Sequence, residues 1–576
     1  VFKIGGAVVA QRDVAGSVWG SAGQVRRIVL GFAADTFPTG LYAYDLEVQR
    51  LSGGAFVAFQ WLSGQLPIVN RRASVFGPGW WLAGWEKLVF TVPSGQALWV
   101  GGDGSVRRYE RAGTAGTDTA YLAPPVDGPD TLLHTSTNQW VRLVSGGARV
   151  VFTANGTHWW TISRLGDSTE FFPDTAGDWK LLRIRVPRDT ALKYQFSYGG
   201  TPLRLSSVSV PDSTVGAVRL TTLSWVGDTL KNTDPGSPAA VAFAYDPAVP
   251  YRIVSRKNRL GAVTSYSYDG ASRLASTRLL LVGGDSIKPV FCAAEVSGLA
   301  ACSPTPVVPD SAYTRFDGPR LPSDSADVMH FWVDRFGAPW KVRDPYGYAT
   351  ALTRAEPSWP ALATRVQSPN GRIVGATYDA RGNIATSTDT SLYVTGQHAT
   401  TRYQWDQRWD AVTEAVLPTG QVTRFAYDVA NGNRLWQEDG RGTPSRVTFD
   451  YYTTGSGRGL VKLVTVPGGG KDSLGYDVRG NLSVARTPIG YTTTITSDRI
   501  GRPTLTLSPV AGVTRRDSTF YDQRGLVQRT ASYGPAVNGA AAQKVVVRNF
   551  HNAEGQLDSL QRWAEPDPAG VGTITT

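Results

Sequence analysis

Methionine, cysteine and histidine are scarce in these 576 residues: Met329 stands alone, the cysteines are Cys292 and Cys302, and five histidines are spread along the chain. Two thiols cannot make a tetrahedral zinc site unaided. His134, His158, His330, His398 and His551 lie far apart, so each is expected as a surface or packed residue. No H-E-x-x-H, G-x-S-x-G or G-x-x-x-x-G-K-[ST] pattern occurs, which removes the usual zinc-hydrolase, nucleophile-elbow and phosphate-loop chemistries. No apolar run approaches the ~18 residues of a membrane helix. Charged residues make up 18%, and the net charge of +11 comes from scattered positions rather than a block of like charge. That pattern fits a solvated surface better than a nucleic-acid stripe. The chain opens at Val1 with neither an initiator methionine nor a signal-peptide pattern, as expected of an internal or processed fragment.

Turn formers and aromatics are plentiful: 63 Gly, 35 Pro, 18 Trp, 23 Tyr and 20 Phe. This composition predicts a β-rich chain with many tight turns. Length alone suggests about three to four domains. A repeat array evades that count, because stacked units can reach any length.

A repeat is visible. The stretch "TYDARGNIATSTD" (377–389) has kin in "SYDGASRL" at 267, "AYDVANGNRL" at 426, "GYDVRGNL" at 475 and "FYDQRGLV" at 520. Weaker copies are "VDRFGAPW" at 333, "QWDQRWDA" at 404, "SDRIGRPT" at 497 and "FHNAEGQL" at 550. The markers fall at 378, 403, 427, 449, 476, 497, 521 and 550, a spacing of 21 to 29 residues. A glycine precedes the marker by seven residues at Gly261, Gly371, Gly420, Gly469 and Gly490, the last four in Pro-x-Gly triplets. Another follows the Asp by three at Gly382, Gly480, Gly501 and Gly525.

Physics gives these marks a meaning. Pro at the second turn position and Gly at positive φ make a tight turn. In Asp-x-x-Gly, the carboxylate accepts backbone N–H groups just ahead and Gly closes the loop in the left-handed conformation. Asn383 and Asn481 can share that task. The unit reads as strand, turn, strand, turn, with strands of about 6–9 residues. The expected turn-forming residues are Tyr268, Asp269, Tyr378, Asp379, Gly382, Asn383, Tyr427, Asp428, Tyr476, Asp477, Gly480, Asn481, Tyr521, Asp522 and Gly525. Each Tyr at a strand end can cover the neighbouring hairpin and offer its hydroxyl to a polar partner. A lone hairpin is unstable in water, so consecutive hairpins should join one long sheet. A carboxylate present in every turn serves the turn, not catalysis. "GDGS" at 102 and "STDTS" at 387 offer oxygens to calcium, but no complete calcium loop occurs.

These motifs resemble the YD repeats of RHS proteins, which are similar to the C component of bacterial ABC-type toxin complexes and to the shell of teneurins. The resemblance is strong over about 240–560. "LPIVNRRASVFGPGWWLAGWEKLVF" followed by "GGDGSVRRYE" looks like the entry segment of RHS shells. The implied architecture is an all-β array of antiparallel hairpins forming a spiralling, cocoon-like sheet. Residues 1–55 are expected to close a β-sandwich or form a plug, 56–240 to be an entry segment of degenerate repeats, and 241–576 to be the repeat array, with a Pro-rich insertion at about 281–320. The implied role is a non-catalytic, cofactor-free shell of a secreted protein. Its expected partner is a C-terminal effector domain or another toxin-complex component, with no specific nucleic acid. "AEPDPAGVGTITT" near the end contains Asp567-Pro568-Ala569-Gly570 but lacks the surrounding cleavage motif of toxin members.

Two further readings stay open. Cys292 and Cys302 either form a disulfide, worth about 2.5–3 kcal/mol in the chain-entropy view and implying an extracytoplasmic setting, or are free buried thiols. Trp80, Trp81, Trp85, Trp159 and Trp160 are either core and lid residues or an aromatic platform for glycans. The second choice belongs to an alternative function, an extracellular adhesin or surface scaffold binding glycans or cell-surface receptors.

Overall fold

The computed structural model describes all residues except 19–27, 29, 125–129, 175–179, 190, 213–217, 236–239, 271, 281–285, 293–311, 319–326, 335–337, 391–397, 511–512, 535–542, 567–572 and 576. Among the described residues every pairing between named strands is antiparallel, and from Lys87–Val89 to Thr573–Thr575 nearly every strand bonds to the one before and the one after it. The fold is therefore an all-β array of consecutive hairpins. No pairing joins the last strand to the first among the described residues, so the long sheet is open.

A separate four-stranded sheet precedes the array. Phe2–Ile4 lies between Ala7–Ala10 and Gly40–Ser52, and the outer strand is Ala55–Ile68. A boundary at 55 falls beside the turn of the 40–68 hairpin, whose ladder runs from Ser52↔Ala55 to Gly40↔Ile68. The first unit therefore extends to Ile68.

A filled knot of strands follows this sheet. The seven strands from Lys87–Val89 to Arg149–Phe152 curl until the first meets the turn after the seventh. Leu88 N–H donates to the Gly156 carbonyl at 2.8 Å, and Lys87 pairs with Thr157. Leu88, Ala97, Tyr109, Leu132, Trp140, Val150 and Phe152 fill the inside, several with no exposed surface. About eight strands is the size at which side chains alone fill such a ring. The free edge of the array is thereby covered, which is how sheet proteins avoid unwanted pairing.

Beyond this knot the sheet widens. The loop 70–86 supplies Phe76 and Trp85 to a second core with Phe171, Leu181, Phe196 and Leu205. After Val241 the described buried hydrophobics are only Val328, Trp332, Val333 and Val546. Most positions of the strands there are half-buried, throughout in Ala411–Val416 and with one or two exposed positions in strands such as Val422–Tyr427 and Leu482–Arg486. A strand packed on one face alternates between buried and exposed. Scarcity of fully buried positions means that neighbours shield one another sideways with little cover from a second layer.

The segment around 281–320 is less foreign to the array than expected. Val290–Cys292 pairs with Ala312–Asp317, which pairs in turn with Val328–Val333. These strands continue the sheet, and the rest of the expected insertion lies outside the described residues.

Candidate functional site at the seam between windings

The site is built from the turns. Asp379 Oδ1 accepts N–H groups from Arg381 at 2.8 Å and Asn383 at 2.9 Å. Gly382 N–H donates to the Asp379 carbonyl, and Asp379 N–H to the Asn383 carbonyl. Gly382 sits at φ 83. This is the three-residue hairpin loop, a type I turn followed by a left-handed residue. Asp477 with Arg479, Gly480 and Asn481 repeats it, as does Asp522 with Arg524, Gly525 and Leu526. Asp269 accepts from Arg273, whose guanidinium also pairs with it. In Asp428 the loop is one residue longer, and Asn433 N–H is taken by Asn431 instead. The opposite ends of the hairpins use the same bonding at Ser368–Arg372, Leu417–Gln421, Val466–Gly470 and Thr487–Tyr491.

The tyrosine before each Asp stands at a β-bulge: Tyr268, Tyr378, Tyr427, Tyr476 and Tyr521 each mark a register shift. A bulge adds twist and turns a side chain aside. The hydroxyls of Tyr268, Tyr378, Tyr427 and Tyr476 donate to carbonyls 15 residues earlier, on Ile253, Ala363, Val412 and Val461, at 2.6–2.9 Å. In each case the carbonyl lies two residues beyond the last paired position of the preceding strand. The phenol replaces a ladder bond where the strands splay.

The bulges also correct three markers. They fall at Trp405, Tyr451 and His551, not at 403, 449 and 550. A unit overlooked in the sequence sits at Tyr245-Asp246, where Asp246 Oδ1 accepts Ala248 and Val249 N–H groups. The literal Tyr-Asp dipeptide was the available signal.

These tips meet tips far away in sequence. Ser145 Oγ donates to Asp410 at 2.8 Å across 265 residues, and Arg164 to the Asn431 carbonyl at 2.9 Å across 267. Arg188 donates to the Arg458 carbonyl at 2.9 Å across 270, Arg219 to the Gln523 carbonyl at 3.0 Å across 304, and Arg499 to the Ala191 carbonyl at 3.2 Å across 308. The main-chain N–H of Arg259 donates to Glu554. The sheet therefore coils so that one winding rests on the next, the Asp-type turns of the later winding meeting the opposite turns of the earlier one. Twenty-two described strands lie between Ser145 and Asp410. At ~4.8 Å per strand, one winding is about 100 Å around and about 30 Å across. Barrels of 16–18 strands already leave an aqueous channel.

The seam is polar and arginine-rich. Asp410 gathers Ser145, Arg381 and Asn383. Burial pushes its carboxyl up, but the bonds from Arg381 and Ser145 outweigh this and hold it below the ordinary value. Arg188 is gripped by Asp167 while it reaches across. One apolar key interrupts the pattern. The Trp409 ring lies so close to Gly147 and Gly432 that a Cβ on either would stand 2.4 or 2.7 Å from it. Neither Trp409 nor these glycines was visible as a site, since the contact with Gly147 spans the windings and that with Gly432 joins neighbouring turns.

The remaining candidates are placed as follows. Trp85 is 3% exposed, and Trp81 stacks on it at 5.3 Å. Trp80 packs against the same core, and Trp159 and Trp160, both half-buried, stack at 4.1 Å. Trp80, Trp81 and Trp85 thus belong to this core, whereas Trp159 and Trp160 stack on each other and keep part of their surface open. Cys292 ends a strand, while its side chain, Cys302 and Asp567 lie outside the described residues. Among the described residues no group of three or more His, Cys, Asp or Glu could hold a metal, and no helix is long and apolar enough to cross a membrane.

No protein-family model and no curated protein matches the chain. Among solved structures it is similar to TcdB2-TccC3 without its hypervariable C-terminal region, at 11% identity and a TM-score of 0.33, over 82% of this chain and 31% of that one. It is also similar to TcdB2-TccC3-Cdc42, at 13% identity and 0.31, over 93% and 31%. A third is a Photorhabdus luminescens Tc holotoxin pore, at 13% identity and 0.29, over 92% and 30%. The chain spans about 31% of the first of these.

Proposed function

We propose that this chain is a length of the wall of a toxin-related RHS-type shell, acting outside the cell, and that it encloses or presents a C-terminal effector lying beyond these residues. One observation carries the reading: a single-layer sheet of about two dozen strands per winding, stacked on itself through residues 265 to 308 apart, with little of either face fully buried. A sheet that folded only to be stable would bury one face. A wall that surrounds a polypeptide needs an inner face left open. The filled knot at 87–157 closes one end of that space.

The wall itself is non-catalytic. The regularly placed carboxylates that would attract a hydrolytic reading are taken up by turn N–H groups and by arginines. With Trp80, Trp81 and Trp85 packed in a core, the glycan-binding alternative rests on Trp159 and Trp160 alone.

The test is to produce the chain joined to its natural downstream segment and expose it to protease. Protection of that segment, with density inside the windings by electron cryomicroscopy, is the expected result. Cleavage as fast as that of the isolated segment overturns the proposal.

A further inference from the structure

The outer strand of the N-terminal sheet is an unpaired edge among the described residues, tied to the array where Arg108 donates to Gln65. Ala55–Ile68 reads AFVAFQWLSGQLPI and contains no charged residue in 14 positions. It pairs with Gly40–Ser52 on one side and with nothing on the other among the described residues. Its apolar side chains are open: Phe56 55%, Val57 51%, Phe59 56%, Trp61 44% and Leu62 53% exposed. Sheet proteins guard such edges with lysine, proline or short length. Here Pro67 lies near the far end and the first eleven positions carry no guard.

We infer that this edge pairs with the same edge of a second copy of the chain. An edge strand can always pair antiparallel with itself about a two-fold axis, and the resulting interface is isologous. Self-pairing fails when like charges come face to face. This strand has none to oppose. Centred on Gln60, the pairing sets Phe59 of one copy opposite Trp61 of the other, twice, and Ala58 opposite Leu62. Aromatic cross-strand pairs are among the best that sheets make. Phe59 and Trp61 already touch edge-on at 6.2 Å within one copy, and Lys3 lies over the Trp61 ring at 4.7 Å. Pairing would extend this aromatic row across the axis. The five side chains expose on the order of 500 Å² per copy, divided between the two faces of the strand, so edge pairing buries at most roughly 1,000 Å², the lower bound for a specific interface, and the dimer is expected to be reversible.

The test is sedimentation of the full chain from ~1 to ~100 µM, the range in which such an interface half-forms. The wild type should pass from monomer to dimer. Phe59→Lys, which removes the aromatic partner of Trp61, and Gln60→Lys, which sets two ammonium groups face to face at the two-fold axis, should each weaken the dimer at least ~10-fold. Both sites are exposed, and unchanged far-ultraviolet dichroism would confirm that the sheet persists. A wild type that stays monomeric throughout overturns the inference. So does equal dimerisation of both lysine variants, or a chain that stays monomeric yet co-sediments with phosphatidylcholine–phosphatidylglycerol vesicles through this hairpin, which would assign the edge to a lipid surface.

Discussion

Arg479 Nε donates to Asp189 Oδ2 at 2.6 Å, and 290 residues separate the two. Arg479 belongs to an Asp-x-Arg-Gly-Asn turn and here fastens two windings, whereas the matching Arg381 and Arg524 reach Asp410 and the Asn552 carbonyl in neighbouring turns of the same winding. Asp189 is also bonded by Ala191 N–H at 2.8 Å, which fixes the carboxylate in place before the arginine arrives.

Removing this fastener should loosen the seam without unfolding the hairpins. Asp189 is 13% and Arg479 32% exposed, so the pair is better shielded than a surface ion pair. A double-mutant cycle of Arg479→Ala and Asp189→Ala should give a coupling of about 0.5–1.5 kcal/mol. Burial raises the Asp189 carboxyl, yet Arg479 and local N–H groups hold it below the ordinary value. Its contribution is then full above the ordinary carboxylate range and is lost as pH falls through the lowered value. Amide exchange at 186–192 in acid reads this directly. Zero coupling would show that the windings are held elsewhere.

Two glycines separate turn strain from seam contact. Gly371 and Gly480 have φ 85 and 84, so alanine at either should cost about 1–2 kcal/mol. A Cβ on Gly371 meets nothing within 4 Å, whereas one on Gly480 lies 2.6 Å from Arg188 Nη1. Gly480→Ala should therefore also speed amide exchange at the facing tip 186–192, and Gly371→Ala should not. Identical exchange in the two variants would argue that the Arg188 contact is dispensable.

Tyr378→Phe deletes the 2.6 Å bond to the Ala363 carbonyl and keeps the ring. The expected loss is about 1 kcal/mol, the usual worth of one hydrogen bond. It should appear as faster exchange where Arg365–Gln367 begins, and the same should hold for Tyr476→Phe at Val461. Unchanged protection would mean that water replaces the phenol fully.

His158 ties the capping knot to acid. Its Nδ1 accepts Glu86 N–H at 3.2 Å, so Nε2 carries the proton and donates to Thr161 Oγ1 at 2.9 Å. Burial pushes its pKa down to about 3. The unfolded chain takes up the proton near pH 6.5 and the folded one does not, so stability falls as pH drops below that value. Between pH 7 and pH 5 the loss should be about 2 kcal/mol, and His158→Gln should remove most of that dependence. A pH-independent unfolding midpoint in the wild type would contradict this.

The hairpin rhythm was legible because a turn is local. Asp379 with Gly382, or Pro369 with Gly371, lies within five residues, and the backbone constraint is written in those few side chains. Register was less so. The bulges at Trp405, Tyr451 and His551 came one or two residues after the markers read from sequence, because an aromatic two places earlier looks the same in an alternating strand. The seam could not be read at all. Nothing near Asp189 announces Arg479, and nothing near Gly147 announces Trp409. The knot could not be read for a related reason: Leu88 meets Gly156 across seven strands, and its core residues follow ordinary strand alternation.

Both borders of this ribbon offer arginines and carbonyls: Arg479 and Arg499 of the Asp-type turns reach Asp189 and the Ala191 carbonyl, while Arg164, Arg188 and Arg219 of the other border reach the carbonyls of Asn431, Arg458 and Gln523. Borders that join through recurring arginine–carbonyl bonds are not tied to one phase, much as a screw thread meets its neighbour wherever the cut begins. Inserting or deleting one hairpin pair would change which individual tips touch while leaving the chemistry of the join intact. Such a ribbon can be lengthened in increments of about two strands, and the volume it encircles becomes an adjustable property rather than one fixed by a unique closed core.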